Sequence, residues 1–153
     1  MAKITGLGHA SFTVMDLNKT IDFYVNKLGG KLLTTTVDQG DTLGIYVMGK
    51  GNQEFAKIKV AMIELGGIEL EFLQYLDPPT NIKYHGKPFI AGSAHLAFQV
   101  DDLQKMYEKL IKEGVVFHSK VNDCVRDGVL VWKWVYIRDP DNICCELVQL
   151  CNQ

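Results

Sequence analysis

Residues 92 to 103 read GSAHLAFQVDDL. Leu96, Phe98 and Val100 alternate with Ala97 and Gln99, the period of a half-buried strand, and His95 shares the face of Ala97 and Gln99. One imidazole on one strand is as a rule a hydrogen-bonded residue at the edge of a core. Its meaning therefore rests on what the rest of the chain places beside it. Residues 6 to 17, GLGHASFTVMDL, match this stretch at a constant offset: His9 falls on His95, Phe12 on Phe98, Val14 on Val100, Asp16 on Asp102 and Leu17 on Leu103.

The match continues past the strand. Leu17, Ile21, Tyr24, Val25 and Leu28 recur at helical spacing before Gly29-Gly30, and Leu103, Met106, Tyr107, Leu110 and Ile111 do so before Gly114. Asp16 and Asp102 stand where an N-cap accepts the first free amides of each helix. The ends of the two halves also agree. IELEFLQYL (68 to 76), after a Gly66-Gly67 hairpin turn, aligns without gaps on ICCELVQL (143 to 150). Glu71 then falls on Glu146 and Gln74 on Gln149, whereas Glu69 falls on Cys144.

Further strands are expected at Lys31 to Val37, Leu43 to Met48 and Ile58 to Leu65 in the first half, and at Val115 to Ser119 and Val129 to Ile137 in the second. The reading is α+β: two tandem βαβββ modules forming a curved mixed sheet. Residues 1–153 are expected to form one domain, with modules at about 3–77 and 92–151 and a proline-containing connector at 78–91.

At 153 residues, 47% of them apolar, the chain can bury a sizeable core. Its net charge of −2 comes from interspersed charges, which gives no nucleic-acid groove and no anionic membrane as partner. No signal peptide or membrane-length apolar run is read, so a cytoplasmic location is expected. Cys124, Cys144, Cys145 and Cys151 lack paired zinc spacing and read as reduced thiols serving as small core hydrophobes.

If the modules are related by a pseudo-twofold axis, His9, Glu71, His95 and Glu146 face one neighbourhood. Carboxylates gathered there without a cation repel one another, and a divalent ion removes the conflict. Two imidazoles and two carboxylates suit Zn, Ni, Co, Mn or Fe(II), and the lack of a thiolate argues against a soft-metal site.

These motifs resemble the vicinal oxygen chelate superfamily, which includes glyoxalase I, methylmalonyl-CoA epimerase, extradiol dioxygenases and the fosfomycin and bleomycin resistance proteins. GLGHASFTVMDLNKTIDFYVNKLGGKLL resembles its opening strand and helix, IELEFLQYLDPP its fourth strand, GSAHLAFQVDDL its second opening and YIRDPDNICCELVQ its closing strand. The resemblance implies metal binding by His9, Glu71, His95 and Glu146, with Glu146 as catalytic base and Glu71 as its catalytic counterpart. It also implies one divalent ion per site, a small carbonyl substrate such as a thiol conjugate or acyl thioester, and a homodimer or pairing of modules within the chain. The family usually has DPDG before its last strand. Here Asn142 replaces the glycine, and asparagine tolerates the same left-handed turn.

The implied activity is that of a metal-dependent lyase or isomerase moving a proton beside a carbonyl. The alternatives are an Fe(II)-dependent ring-cleaving dioxygenase and a non-catalytic drug-sequestering protein. Trp132, Trp134 and Tyr136 share one strand face and read as packing against the other module or a second subunit, with a substrate wall as the alternative. Lys83, Tyr84, His85, Lys87 and Phe89 of the connector read as a solvated loop whose composition also suits a phosphate or carboxylate. His118 and Arg126 read as surface residues, Arg126 being the better candidate for a substrate anion.

Overall fold

The computed structural model describes residues 1–83 and 87–151, so Tyr84 and His85 of the connector lie outside the described residues. The chain divides into two compact units, Met1–Ile82 and Lys83–Gln153.

In the first unit, β1 (Ala10–Thr13) leads into α1 (Leu17–Ile21), which continues as a π-helical stretch, Asp22–Lys27. Then follow β2 (Lys31–Gly40), α2 (Leu43–Met48), β3 (Ala56–Leu65) and β4 (Ile68–Asp77). The sheet order is β1-β4-β3-β2, with β1 parallel to β4 and the other pairs antiparallel. The second unit contains β5 (Leu96–Gln99), α3 (Leu103–Lys112), β6 (Val116–Phe117), β7 (Asn122–Arg126), β8 (Val129–Arg138) and β9 (Cys144–Leu150). Its order is β5-β9-β8-β6, and β7 also pairs with β8. Because β6 meets the Ile137–Arg138 end of β8 and β7 meets the remainder, the two lie end to end as one interrupted strand. Each unit therefore has βαβββ topology and its own mixed sheet.

The duplicated polar residues fix the start of each helix. Asp16 accepts from the amides of Asn18 and Lys19, and Asp102 from that of Lys105. The next orphan amide is met from the sheet: Leu17 N–H donates to Gln74 Oε1 at 3.0 Å, and Leu103 N–H to Gln149 Oε1 at 2.9 Å. The repeat of Gln74 in Gln149 is thus a repeated tie between helix and closing strand. Gly66 and Gly67, at φ of 63° and 82°, make the expected hairpin turn. Asn142, at φ 72°, takes the left-handed position, while the buried Asp139 carboxylate accepts from the amides of Asp141 and Ile143.

Alternation then sorts the strands. Leu70 and Phe72 of β4 with Ala61 and Ile63 of β3 are fully buried on the face that receives the helix, where Tyr24 meets Phe72 at 4.5 Å between ring centroids. Cys145 and Leu147 of β9 with Val135 and Ile137 of β8 do the same in the second unit, beneath Leu103 and Leu110.

Three expectations need correction. Leu43–Met48 is helix, not strand: LGIYVM is a short apolar run whose period does not decide between the two. Its geometry is set by Gly44, whose amide donates to Glu54 O at 2.7 Å and where a Cβ would collide with the Gln53 and Glu54 carbonyls. The strand expected over Val115 to Ser119 is only Val116–Phe117, and β7 was not anticipated, because NDCVR has no apolar alternation and Val125 is its one strong β-former. None of the four cysteines is in a disulfide, as expected, but of the four Cys145 alone is a core residue; Cys124, Cys144 and Cys151 are half-buried. Among the described residues no helix is long and apolar enough to cross a membrane.

Candidate metal and proton-transfer site

In the first unit, His9 immediately precedes β1 and Glu71 sits at the middle of β4. Register pairs Ser11 with Glu71, so the odd-numbered residues of β1 and the Glu71 side chain point away from the helix. His9 Nε2 and Glu71 Oε2 are 3.5 Å apart, with the side chains 48% and 23% exposed. In the second unit, Ala97 pairs with Glu146, and His95 Nε2 approaches Glu146 Oε2 to 3.2 Å, the side chains being 45% and 15% exposed. The duplication has placed the same two residue types in the same relation twice.

The sequence-derived ligands are thus brought together two by two. Among the described residues no group of three or more His, Cys, Asp and Glu gathers as a metal cluster. Each pair nevertheless suits an ion as a half-set of ligands. Two donors at right angles on an ion, each about 2.1 Å from it, are about 3 Å apart, close to the observed separations. Imidazole nitrogen with carboxylate oxygen is also the donor chemistry of a borderline or hard divalent ion.

The surroundings of the two pairs differ. Across β3 and β2, the row through Glu71 continues to Met62 and Thr34. The row through Glu146 continues to Tyr136 and then His118, whose amide donates to Tyr136 O at 2.9 Å. The Tyr136 ring lies among three others: His95 at 5.3 Å, Trp134 at 5.4 Å and His118 at 5.9 Å between centroids. Burial and then the Glu146 charge push the Tyr136 phenol up, keeping it a protonated donor near the carboxylate. Tyr75, on the Glu71 face, is raised in the same way by burial and then by Glu71. Tyr75 also borders a cavity of about 310 Å³ walled by Thr13, Met48, Pro78, Thr80 and Ile82.

Trp134 and Tyr136 therefore stand beside the His95–Glu146 pair, whereas Trp132 packs under Arg126, whose guanidinium is 4.7 Å from the ring centroid. His118 is more than a surface residue: Arg138 Nε donates to its Nε2 at 2.6 Å, and burial followed by the Arg138 charge lowers its pKa. Of the connector residues read as a solvated loop, Lys83 is tied down, donating to Pro140 O at 2.9 Å and lying 3.5 Å from the buried Asp141 carboxylate. Arg138 was missed by the sequence reading. The signal available was its position two residues after Tyr136, on the same strand face.

A duplicated βαβββ unit presenting one His–Glu pair per copy defines the class to which the protein belongs. Residues 6–147 match the Glyoxalase/Bleomycin resistance protein/Dioxygenase superfamily, and the chain is a member of it. It is 28% identical over 151 residues to the 2-epi-5-epi-valiolone epimerase of an Actinomyces species, covering 93% of this chain and 78% of that protein. It is 30% identical over 141 residues to the metallothiol transferase FosB of Lysinibacillus sphaericus, covering 90% and 77%. The crystal structure of a glyoxalase family protein from Bacillus cereus superposes with a TM-score of 0.82 at 23% identity, covering 99% of this chain and 97% of that one.

Proposed function

We propose that the protein is a metal-dependent lyase or isomerase that moves a proton at the carbon next to a carbonyl. His9, Glu71, His95 and Glu146 together hold one divalent ion, in a homodimer containing one ion per chain. The observation that carries this reading is the recurrence of a His–Glu pair within 3.5 Å in both units, on the sheet face away from the helix. The epimerase and metallothiol transferase relatives support the reaction class and the use of a metal, respectively.

When bound, the ion supplies Lewis-acid polarisation of the substrate carbonyl, which acidifies the neighbouring C–H bond. Glu146 is the base that takes this proton and returns it. It is the less exposed of the two carboxylates, at 15% against 23%, and has the aromatic ring of Tyr136 directly across the strand pair. The Tyr136 phenol, kept protonated, is placed to donate to the oxygen that gains charge as the proton leaves. Glu71 occupies the equivalent place in the first unit and is its counterpart in proton transfer.

The test is solvent-deuterium exchange into small 2-hydroxy ketones and 2-methyl acyl thioesters by the metal-loaded protein. Exchange is expected in the wild type and should fall by roughly 100-fold or more in Glu146→Gln, with ligand binding retained. Wild-type exchange rates in that variant would remove Glu146 from its role. Iron-dependent oxygen uptake with catechols, without exchange, would replace the isomerase reading with a dioxygenase.

A further inference from the structure

Among the described residues, one cation on the sheet face that carries Glu146 has no carboxylate counter-ion. Arg138 ends β8, two positions beyond Tyr136 and opposite Cys144 of β9. Its Nε donates to His118 Nε2 at 2.6 Å and its Nη1 to Asn142 O at 2.9 Å. Both acceptors are neutral, since an imidazole that accepts at Nε2 carries its proton on Nδ1. Among the described residues, no carboxylate lies within 4.0 Å of the guanidinium, and the ion pairs there use His9, Lys19, Lys83, His95 and Lys105.

A guanidinium has five N–H donors. The two bonds described fix its position and orientation while leaving its charge uncompensated and the rest of its fork available. This is the condition of a preorganised anion receptor, because a charged group held by neutral acceptors gains most from an arriving oxyanion. The duplication sharpens the point. Arg138 faces Cys144 two residues before Glu146, and the residue in the equivalent place of the first unit, facing Glu69 two residues before Glu71, is Glu64. The charge at that position is reversed between the copies, an arginine in the second unit standing where the first has a glutamate.

We propose that Arg138, held by His118 and Asn142, docks an anionic oxygen group of the substrate, a carboxylate or a phosphate-type group. Its strand position is two residue rises, about 7 Å, from Glu146. This deepens the isomerase reading and rests on it for the role of Glu146. The selected substrate then carries its anion a few bonds away from the carbon that exchanges its proton.

The test uses metal-free protein in excess chelator, so that the result is independent of the ion. Inorganic phosphate and succinate are titrated separately while the Arg138 Nε–H and His118 ring signals are followed by NMR. Saturable shifts confined to these two side chains are expected with at least one probe. Response to succinate alone assigns a carboxylate, and to phosphate alone a phosphate-type group; response to both assigns a general oxyanion. Binding should weaken by about ten-fold or more in Arg138→Met and persist in Glu146→Gln. No saturable shift with either probe, or undiminished binding in folded Arg138→Met, would overturn the proposal. Should that variant not fold, the decision rests on whether the wild-type shifts localise to Arg138 and His118 or to other residues. Because Glu146→Gln is scored by anion binding here and by proton exchange above, the two readings can fail separately.

Discussion

Replacing His9 by alanine tests whether the two His–Glu pairs act as one ligand set. In metal-free protein the change should matter little, because the pair it breaks is half-exposed, with side chains 48% and 23% accessible, and such pairs contribute no more than about 1 kcal/mol. The ion should respond differently. Altering even the outer partners of metal ligands costs roughly 10- to 100-fold in affinity, and a ligand itself costs at least as much. Since stabilisation by a bound ligand varies as RT ln([L]/Kd), the ion-dependent part of the stability should drop by about 1.4 to 2.8 kcal/mol at fixed saturating metal. His95→Ala, removing the equivalent imidazole from the other unit, should cause a loss of the same order. The double variant should bind no ion tightly. Denaturant titration of each variant with and without Mn(II) or Zn(II), beside a competition measurement against a chelator, gives both quantities. The reasoning is refuted if His9→Ala leaves metal affinity untouched while His95→Ala abolishes it. A single pair would then hold the ion, and the duplication would be structural only.

Two further outcomes follow from particular contacts. Gly44→Ala should destabilise the protein by about 1 to 3 kcal/mol in urea titration, because the added methyl meets the carbonyls of Gln53 and Glu54; a change under about 0.5 kcal/mol would show that α2 is not seated there. His118, whose folded pKa is held below its ordinary value by burial and then Arg138, makes folding pH-dependent. As pH falls below about 6.5, the unfolded chain takes up a proton that the folded chain resists, so stability should decrease through that window and stay level above it. His118→Gln should flatten this slope in urea titrations from pH 7.5 to 5.5 (roughly the span centred on the free imidazole), and an unchanged slope would assign it to other groups.

The features legible in the sequence were those the duplication wrote twice. His9 and His95, Glu71 and Glu146, Asp16 and Asp102, and Gln74 and Gln149 could be paired because each pair sits in a strand or helix start with a clear hydrophobic period. The pairing chose Glu71 over Glu69 without any coordinates, and the structure places Glu71 against His9. Singly written features were harder. The run Leu43–Met48 has too few residues for its period to speak, and its helix depends on a backbone approach to residues 53 and 54. The strand Asn122–Arg126 is recruited by the long β8 beside it rather than by its own side chains. His118 and Arg138 are 20 residues apart, and only strand pairing brings their side chains together.

That contrast bears on how the site divides its work. Residues written twice cap the helices and form the two His–Glu pairs. Residues written once, Tyr136, His118 and Arg138, cluster around Glu146, while the corresponding row about Glu71 carries Met62 and Thr34, and Glu64 stands in place of the arginine. Departures from duplication on the second sheet place a phenol and an imidazole in the row beside Glu146, with a guanidinium two positions along β8. Exchange of Met62 for tyrosine, with the phenol then across from Glu71 as Tyr136 is from Glu146, would make the rows more alike. The expected result is a lower ratio of proton exchange catalysed through Glu146 to that catalysed through Glu71, read as the deuterium pattern in Glu71→Gln and Glu146→Gln backgrounds. An unchanged ratio would show that the asymmetry of the reaction arises elsewhere than in these rows.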